Sequence, residues 1–364
     1  MAGIVISTTV NRVALVIAAI GMIGAIFETS ARAEAKPDPT RLVVGPITIS
    51  AAPITSFNRG GVGRVDTGKL EFLGGLVLTA PDNPYFGGWS GLAFDADGKS
   101  FVSVSDSGIW LTGTLMMDGA APKGIENARM GPLLGQDGKP HKRPRDRDAE
   151  AIALIDGAVR EGKIQIAFEQ NARIAQYDIS RNGISPTRKI LAKPSNVRAL
   201  SRNAGLESMT VMRGGPYKGE TIAIAERFYN RARNHTGWIW TGGKVQPFFV
   251  TNIGDYDVTD IASLDDGSLF VLERRFRWLE GVKMRIRRIA ANELALGKTA
   301  AGDILIEANL EHQIDNMEGL AVTRSRSGDI ILSVVSDDNY NRFLQRTLLL
   351  QFSLQDKVTQ KSRP

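Results

Sequence analysis

The chain has 364 residues, 43% hydrophobic and 23% charged, a balance that supports a packed core and argues against a disordered or fibrous chain. It has no cysteine, which excludes disulfides, zinc ribbons, iron–sulfur sites and cysteine nucleophiles. Its three histidines, His141, His235 and His312, are too far apart for an H-E-x-x-H zinc helix, and a scattered net charge of +6 is no nucleic-acid footprint.

Residues 1–33 read as a secretory signal peptide. Arg12 supplies the positive start, Val13 to Phe27 is an apolar run, and Ala31-Arg32-Ala33 gives the small-x-small cleavage pattern, so that Glu34 begins the mature protein. The run is shorter than the roughly 20 residues a membrane span needs. No twin-arginine pair is present, which favours the Sec route. Export of a cysteine-free chain fits a periplasmic or secreted protein with no membrane insertion after cleavage.

Residues 34–364 are expected to form one domain, and within it the sequence repeats. Five segments share a template: Trp89–Phe94, Ala149–Leu154, Leu206–Val211, Thr259–Leu264 and Met317–Val322. Each is followed by a second apolar run. Three of these pairs are separated by turn chemistry, at Asp97-Gly98, Asp266-Gly267 and Ser327-Gly328, where glycine accepts positive φ. A third run follows in every repeat, and a fourth in several, at Lys189–Lys193, Lys244–Asn252 and Ile304–Leu310. Short strands in fours at this period predict an all-β fold, a β-propeller of four-stranded blades. Leu70–Leu78 lies where it can supply the last blade's missing strand and close the ring. Five blades follow, or six if Arg41–Ser50 and Met117–Arg147 assemble another. Ala290–Leu296 reads as one or two turns of helix.

Aligning the repeats exposes two columns. The first, at the start of each innermost strand, reads Ser90, Glu150, Glu207, Asp260, Glu318. The second, at the end of the next strand, reads Asp106, Glu169, Glu226, Glu273, Asp337. Antiparallel neighbours place a strand's end beside the next strand's start, so both columns are expected at one mouth of the central channel. Arg227 and Arg274 directly follow their glutamates, and Arg173, Arg231, Arg277 and Arg342 follow four or five residues on.

Carboxylates crowded into a narrow mouth must share protons or hold a cation. Oxygen-only ligands favour a hard ion, Ca²⁺ first and Mg²⁺ or Mn²⁺ second. Glu150, Glu207, Asp260 and Glu318 are the expected catalytic groups, and the same four with Glu169 and Glu226 the expected metal ligands. Arg173, Arg231, Arg277 and Arg342 are expected to orient a small anionic ester. Because Ser90 breaks the ring, a cation would sit to one side with substrate reaching the other. The second column has an equally weighted reading as inter-blade ion pairs that set register. Gly88-Trp89-Ser90-Gly91 falls short of a nucleophile elbow, since Leu92 stands where G-x-S-x-G needs glycine. His235 reads as a solvated or supporting group, and the run His141–Asp148 as an insert loop.

Gly87-Gly88-Trp89-Ser90-Gly91-Leu92, Arg147-Asp148-Ala149-Glu150, Gly205-Leu206-Glu207-Ser208-Met209 and Met317-Glu318-Gly319-Leu320 together resemble the phytase-like family of exported bacterial proteins. The resemblance runs from about Leu70 to Leu354. It implies a β-propeller with an esterase-like activity and carries the family's repeated glutamates onto Glu150, Glu207 and Glu318, with Glu169 and Glu226 as a second set. The chain departs from that pattern at Asp260, and the R-H-G-x-R-x-P motif of the other phytase type does not occur.

The expectation is thus an exported, monomeric propeller that hydrolyses a carboxylic or phosphoric ester with a divalent cation. The rival is a non-catalytic periplasmic propeller that binds a ligand or partner around a structural ion. A lactonase shares the same logic with cyclic esters.

Overall fold

The innermost strands are buried on both faces. Trp89–Phe94, its neighbour Ser100–Ser105 and Ser208–Val211 are buried throughout, and Ile330–Asp337 of the last blade is nearly as enclosed. Strands covered on both sides carry continuous apolar and small residues instead of alternation. In the computed structural model, which describes residues 36–60, 68–194 and 205–354, these strands build a five-bladed β-propeller. The signal-peptide segment lies outside the described residues.

Five antiparallel strand pairs lead from the axis outward. They are Trp89–Phe94 with Ser100–Ser105, Ala149–Ala158 with Glu161–Phe168, Ser208–Val211 with Thr221–Tyr229, Asp257–Ser263 with Leu269–Arg277, and Asn316–Arg324 with Ile330–Asp337. Each inner strand contacts the inner strands of both adjacent blades, and the last contacts the first, which closes the ring. Five buried apolar clusters fill the five seams between blades. One joins Ile152 and Ile166 to Val102 and Trp110, and another joins Leu320 and Leu332 to Phe270 and Leu272.

The closing strand is Glu71–Thr79, antiparallel to Thr347–Leu354 with Leu76 opposite Leu349. Opening the ring would mean breaking that ladder. The segments held open for a sixth blade go elsewhere. Gly45–Pro46 edges the first blade beside Ala121–Pro132, and Ser50–Ile54 edges the last beside Glu71–Thr79. The stretch before the closing strand thus laces two neighbouring blades. Residues 109–132 form a long hairpin of the first blade, and Pro144–Arg147 is a single helical turn leading to Glu150. The expected helix at 290–296 is a turn, held by Glu293 N–H to Ala290 O and by the Glu293 carboxylate on the N–H groups of Ala290 and Gly302.

Candidate functional site

In four of the five blades the ladder that pairs the inner strand with its neighbour skips one residue near its start. The skipped residue is Ser90, Glu150 and Glu318 in the first, second and fifth blades. A bulge turns the extra side chain out of the ladder and toward the channel mouth. Glu207 stands just ahead of the strand Ser208–Val211 and reaches the same place. In the fourth blade the skipped residue is Thr259, while Asp260 keeps a ladder partner, Leu272.

That offset of one residue sends Asp260 elsewhere. Its Oδ1 accepts the Ile261 N–H at 2.8 Å and its Oδ2 the Leu320 N–H at 2.7 Å, with Met209 N–H as a third donor. Asp260 is 1% exposed and ties three inner strands together at the axis. It does not line the acidic cavity, and Thr259, with Oγ1 donating to Met317 O, holds the column position instead.

The cavity has a volume of about 370 Å³. Eight carboxylates line it, from Asp106, Asp148, Glu150, Glu169, Glu207, Glu226, Glu318 and Asp337, against three cations, Lys36, Arg227 and Arg274. Four of the five second-column residues are therefore present. Glu273 is not, because it is fully buried in an ion pair with Arg287, Nε to Oε2 at 2.8 Å, and Arg285 stands 3.6 Å away. That pair lies within the fourth blade; the expected inter-blade pairing of this column is found at Glu226, which Arg274 of the next blade approaches to 3.4 Å.

Two glycines make room for the lining. Gly88 has φ of 68°, and a Cβ there would fall 2.6 Å from Asp106 Oδ1. A Cβ on Gly205 would fall 2.6 Å from Glu169 Cγ. Both belong to the motifs that carry the family resemblance.

The cavity divides into two halves. In one, an oxygen from each of Asp148, Glu150 and Glu169 lies within 4.8 Å of the others. Asp148 and Glu169 are 4% and 8% exposed, and Asp148 Oδ2 and Glu169 Oε1 have no hydrogen-bond donor. Burial, with Glu169 and Asp106 alongside, pushes Asp148 up to about 7 against the pull of Lys36. Burial, then Asp148 and Glu318, holds Glu150 well above the usual carboxylate range. Lys36 closes this half, its Nζ 2.6 Å from Asp106 Oδ2. Burial alone would lower the lysine's pKa, but Asp106, Asp148 and Glu150 raise it.

In the other half, guanidinium groups back the carboxylates. Arg274 donates Nη1 to Glu318 at 2.9 Å and to Asn316, and its Nη2 stands 3.4 Å from Glu226. Arg227 pairs with Asp257 at 2.5 Å and lies 3.3 Å from Glu226, with 49% of its side chain exposed. Glu207 and Glu226 share a hydrogen bond. Burial and then Asp257 push Glu226 up to about 7 against both arginines, and burial with Glu226 holds Glu207 well above the usual carboxylate range. His235 is buried behind them with Nδ1 3.2 Å from the Glu226 carbonyl, so Nδ1 carries the proton. Burial and Arg287 lower its pKa to about 4, so it is a neutral strut and not a solvated loop residue.

None of the four arginines expected to bind substrate lines the cavity. Arg173 stacks 3.6 Å over Phe168 and donates to Asn171 O and Asp146 O, which fixes the helical turn before Asp148. Arg277 pairs with Glu280 and Asp255 on an outer hairpin, and Arg342 donates to Asn83 O and Phe86 O. Arg231 is exposed in a turn. An offset of four or five residues carries each away from the mouth, whereas the arginines directly after Glu226 and Glu273 turn into it. Asp148 was legible only as part of the motif Arg147-Asp148-Ala149-Glu150. Lys36 has no signal in the repeat, since it precedes the ring.

No helix among the described residues is long and apolar enough to cross a membrane. No curated relative matches the chain. A solved structure titled "Structure of Dos1 propeller" is similar at a TM-score of 0.36 and 10% identity, over 78% of this chain and 74% of that one. The family model described as "Phytase-like: Esterase-like activity of phytase" matches residues 84–340, from the glycines before the first inner strand to the loop that follows Asp337. With well over half of its length inside that match, the chain belongs to the phytase-like family.

Proposed function

We propose that the protein is an exported, Ca²⁺-assisted hydrolase of a small anionic phosphoric or carboxylic ester. The observation that carries this reading is the cluster of Asp148, Glu150 and Glu169, with one oxygen of each within 4.8 Å of the others, where Asp148 Oδ2 and Glu169 Oε1 are buried without a hydrogen-bond partner. Such oxygens are costly unless a proton or a cation lies among them. The 4.8 Å limit on the cluster's oxygens falls inside the roughly 5 Å that two oxygens span across one Ca²⁺. Asp148, Glu150 and Glu169 would hold the ion.

A cation there supplies positive charge that polarises the ester oxygen. The chain's own residues do the rest. Arg227 and Arg274 bind the substrate's negative charge and orient it over the carboxylates. Glu207 and Glu226 share one proton between two oxygens, with Glu226 poised at about 7, the range in which a carboxylate takes a proton from water and returns it at neutral pH. Glu318 and Asn316 hold Arg274 in place.

The test is calorimetric titration with Ca²⁺ of the chain from Glu34 onward, after chelation, followed by a phosphatase and esterase screen with and without the ion. Saturable binding weakened by Glu169→Gln is expected. Glu207→Gln, which keeps shape and removes the proton-sharing acid, is expected to lower turnover by roughly 10²–10⁴. Full turnover in Glu207→Gln would remove the catalytic assignment. Ca²⁺ binding with no ester turned over would favour a ligand-binding propeller with a structural ion.

A further inference from the structure

A second cavity, of about 600 Å³, adjoins the acidic one and shares Arg227, Arg274 and Asn316 with it. Beyond the arginines, five apolar side chains line it, Phe276, Val282, Leu310, Ile314 and Leu344, with Asp257, Asp315 and Gln345 among them. The walls are built and braced. Gly281, with φ of 71°, lets Leu310 pack where a Cβ would meet its Cδ1 at 2.3 Å. Arg59 clamps the floor by donating to His312 O and Ile314 O, each at 2.9 Å. Phe276, Leu310 and Leu344 are nevertheless 65%, 46% and 61% exposed. Large apolar side chains left in water around a groove mark a binding surface.

We infer that this groove holds the apolar tail of the substrate, so that the preferred ester is an amphiphile: an alkyl phosphate whose head lies at Arg227 and Arg274. The inference rests on the hydrolase reading for its chemistry and on the groove for its specificity. The charge pattern commits the orientation. Arg227 is half-exposed at the boundary, with Asp257 and Glu226 occupying only part of its guanidinium group. A phosphate there sits beside Glu226 and Glu318, and its tail points away from the carboxylates that would repel it. In the reaction, water adds to phosphorus and the P–O bond to the alkyl oxygen breaks. The proton taken from water by Glu226 ends on the departing alcohol.

Burying each methylene in such a groove raises affinity roughly three- to fourfold. Between a methyl and an octyl tail, seven methylenes apart, full burial gives on the order of 10³–10⁴ and burial of half the tail on the order of 10². The experiment compares binding of methylphosphonate and monomeric octylphosphonate, which are not hydrolysed, by calorimetry in Ca²⁺. It is run on the wild type, Leu344→Asp and Leu310→Asp. Both substitutions are at exposed positions, and two are used so that one failing to fold leaves the other. Octylphosphonate binding at least tenfold tighter, with the difference lost in either variant, is the expected result. Equal affinity for the two probes, a difference that both variants retain, or binding to phospholipid vesicles without binding of the monomeric probe would each overturn the inference. Phosphate release from methyl and octyl phosphate separates the two levels. Tail-dependent binding with no turnover would defeat the hydrolase reading and leave the groove standing. Turnover with no tail preference would do the reverse.

Discussion

Replacing Arg287 with Met removes the group that holds Glu273 by two hydrogen bonds, at 2.8 and 2.5 Å, where both side chains are fully buried. It also strips the donor from Ala301 O, 2.7 Å from Nη1. Breaking a buried pair from one side costs roughly 3–5 kcal/mol. Arg285, 3.6 Å from Glu273, stays in place and keeps the loss near the lower end, about 3 kcal/mol at pH 7. The variant should recover as pH falls. Burial favours the neutral acid, so the folded variant takes up a proton at a pH where an unfolded glutamate, with pKa about 4.3, has already lost it. Its stability relative to wild type rises by up to about 1.4 kcal/mol per unit between pH 7 and pH 5. The double variant Glu273→Leu, Arg287→Met leaves no orphaned charge and should regain most of the loss. Chemical unfolding at the two pH values, arranged as a double-mutant cycle, reads all of this. Ca²⁺ affinity should be the same in all the variants, because Glu273 does not line the acidic cavity. A loss under about 1 kcal/mol in Arg287→Met, or a double variant no more stable than the single, would refute the assignment of this carboxylate to the scaffold.

Two further outcomes follow from the cavity. In chelator, Asp148 and Glu226 keep protons up to about 7 that unfolded carboxylates lose near 4. Thermal stability should therefore fall as pH rises from about 4 to about 7, and saturating Ca²⁺ should flatten that fall; a profile identical with and without the ion would count against the cluster as its site. Lys36 occupies the cation half through Asp106 at 2.6 Å. Lys36→Ala should tighten Ca²⁺ binding several-fold in the same titration, and unchanged or weaker binding would show that the ammonium does not compete.

Much of the ring is decided by local chemistry. Strands covered on both faces need unbroken apolar and small residues, and turns need Asp-Gly or Ser-Gly, so the repeats from Trp89 to Val322 and the closing strand near Leu70 are legible without coordinates. The glutamates are legible too, because a propeller brings the same register of every blade to one mouth. Which members of each column reach the cavity is a tertiary matter. A bulge at Thr259 instead of Asp260 turns one carboxylate into the axis, and Arg287, fourteen residues from Glu273 on the next strand of the same blade, claims another for the scaffold. The useful cations are those whose offset from the strand end aims them inward, Arg227 and Arg274, and one from outside the repeat, Lys36. Sequence spacing counts residues and is blind to one skipped rung, whereas side-chain direction reverses at every rung. For that reason the sequence by itself determines the architecture and the acidic character of this protein, and only the folded ring decides which carboxylates share protons, which crowd together in the cavity, and which hold the blades together.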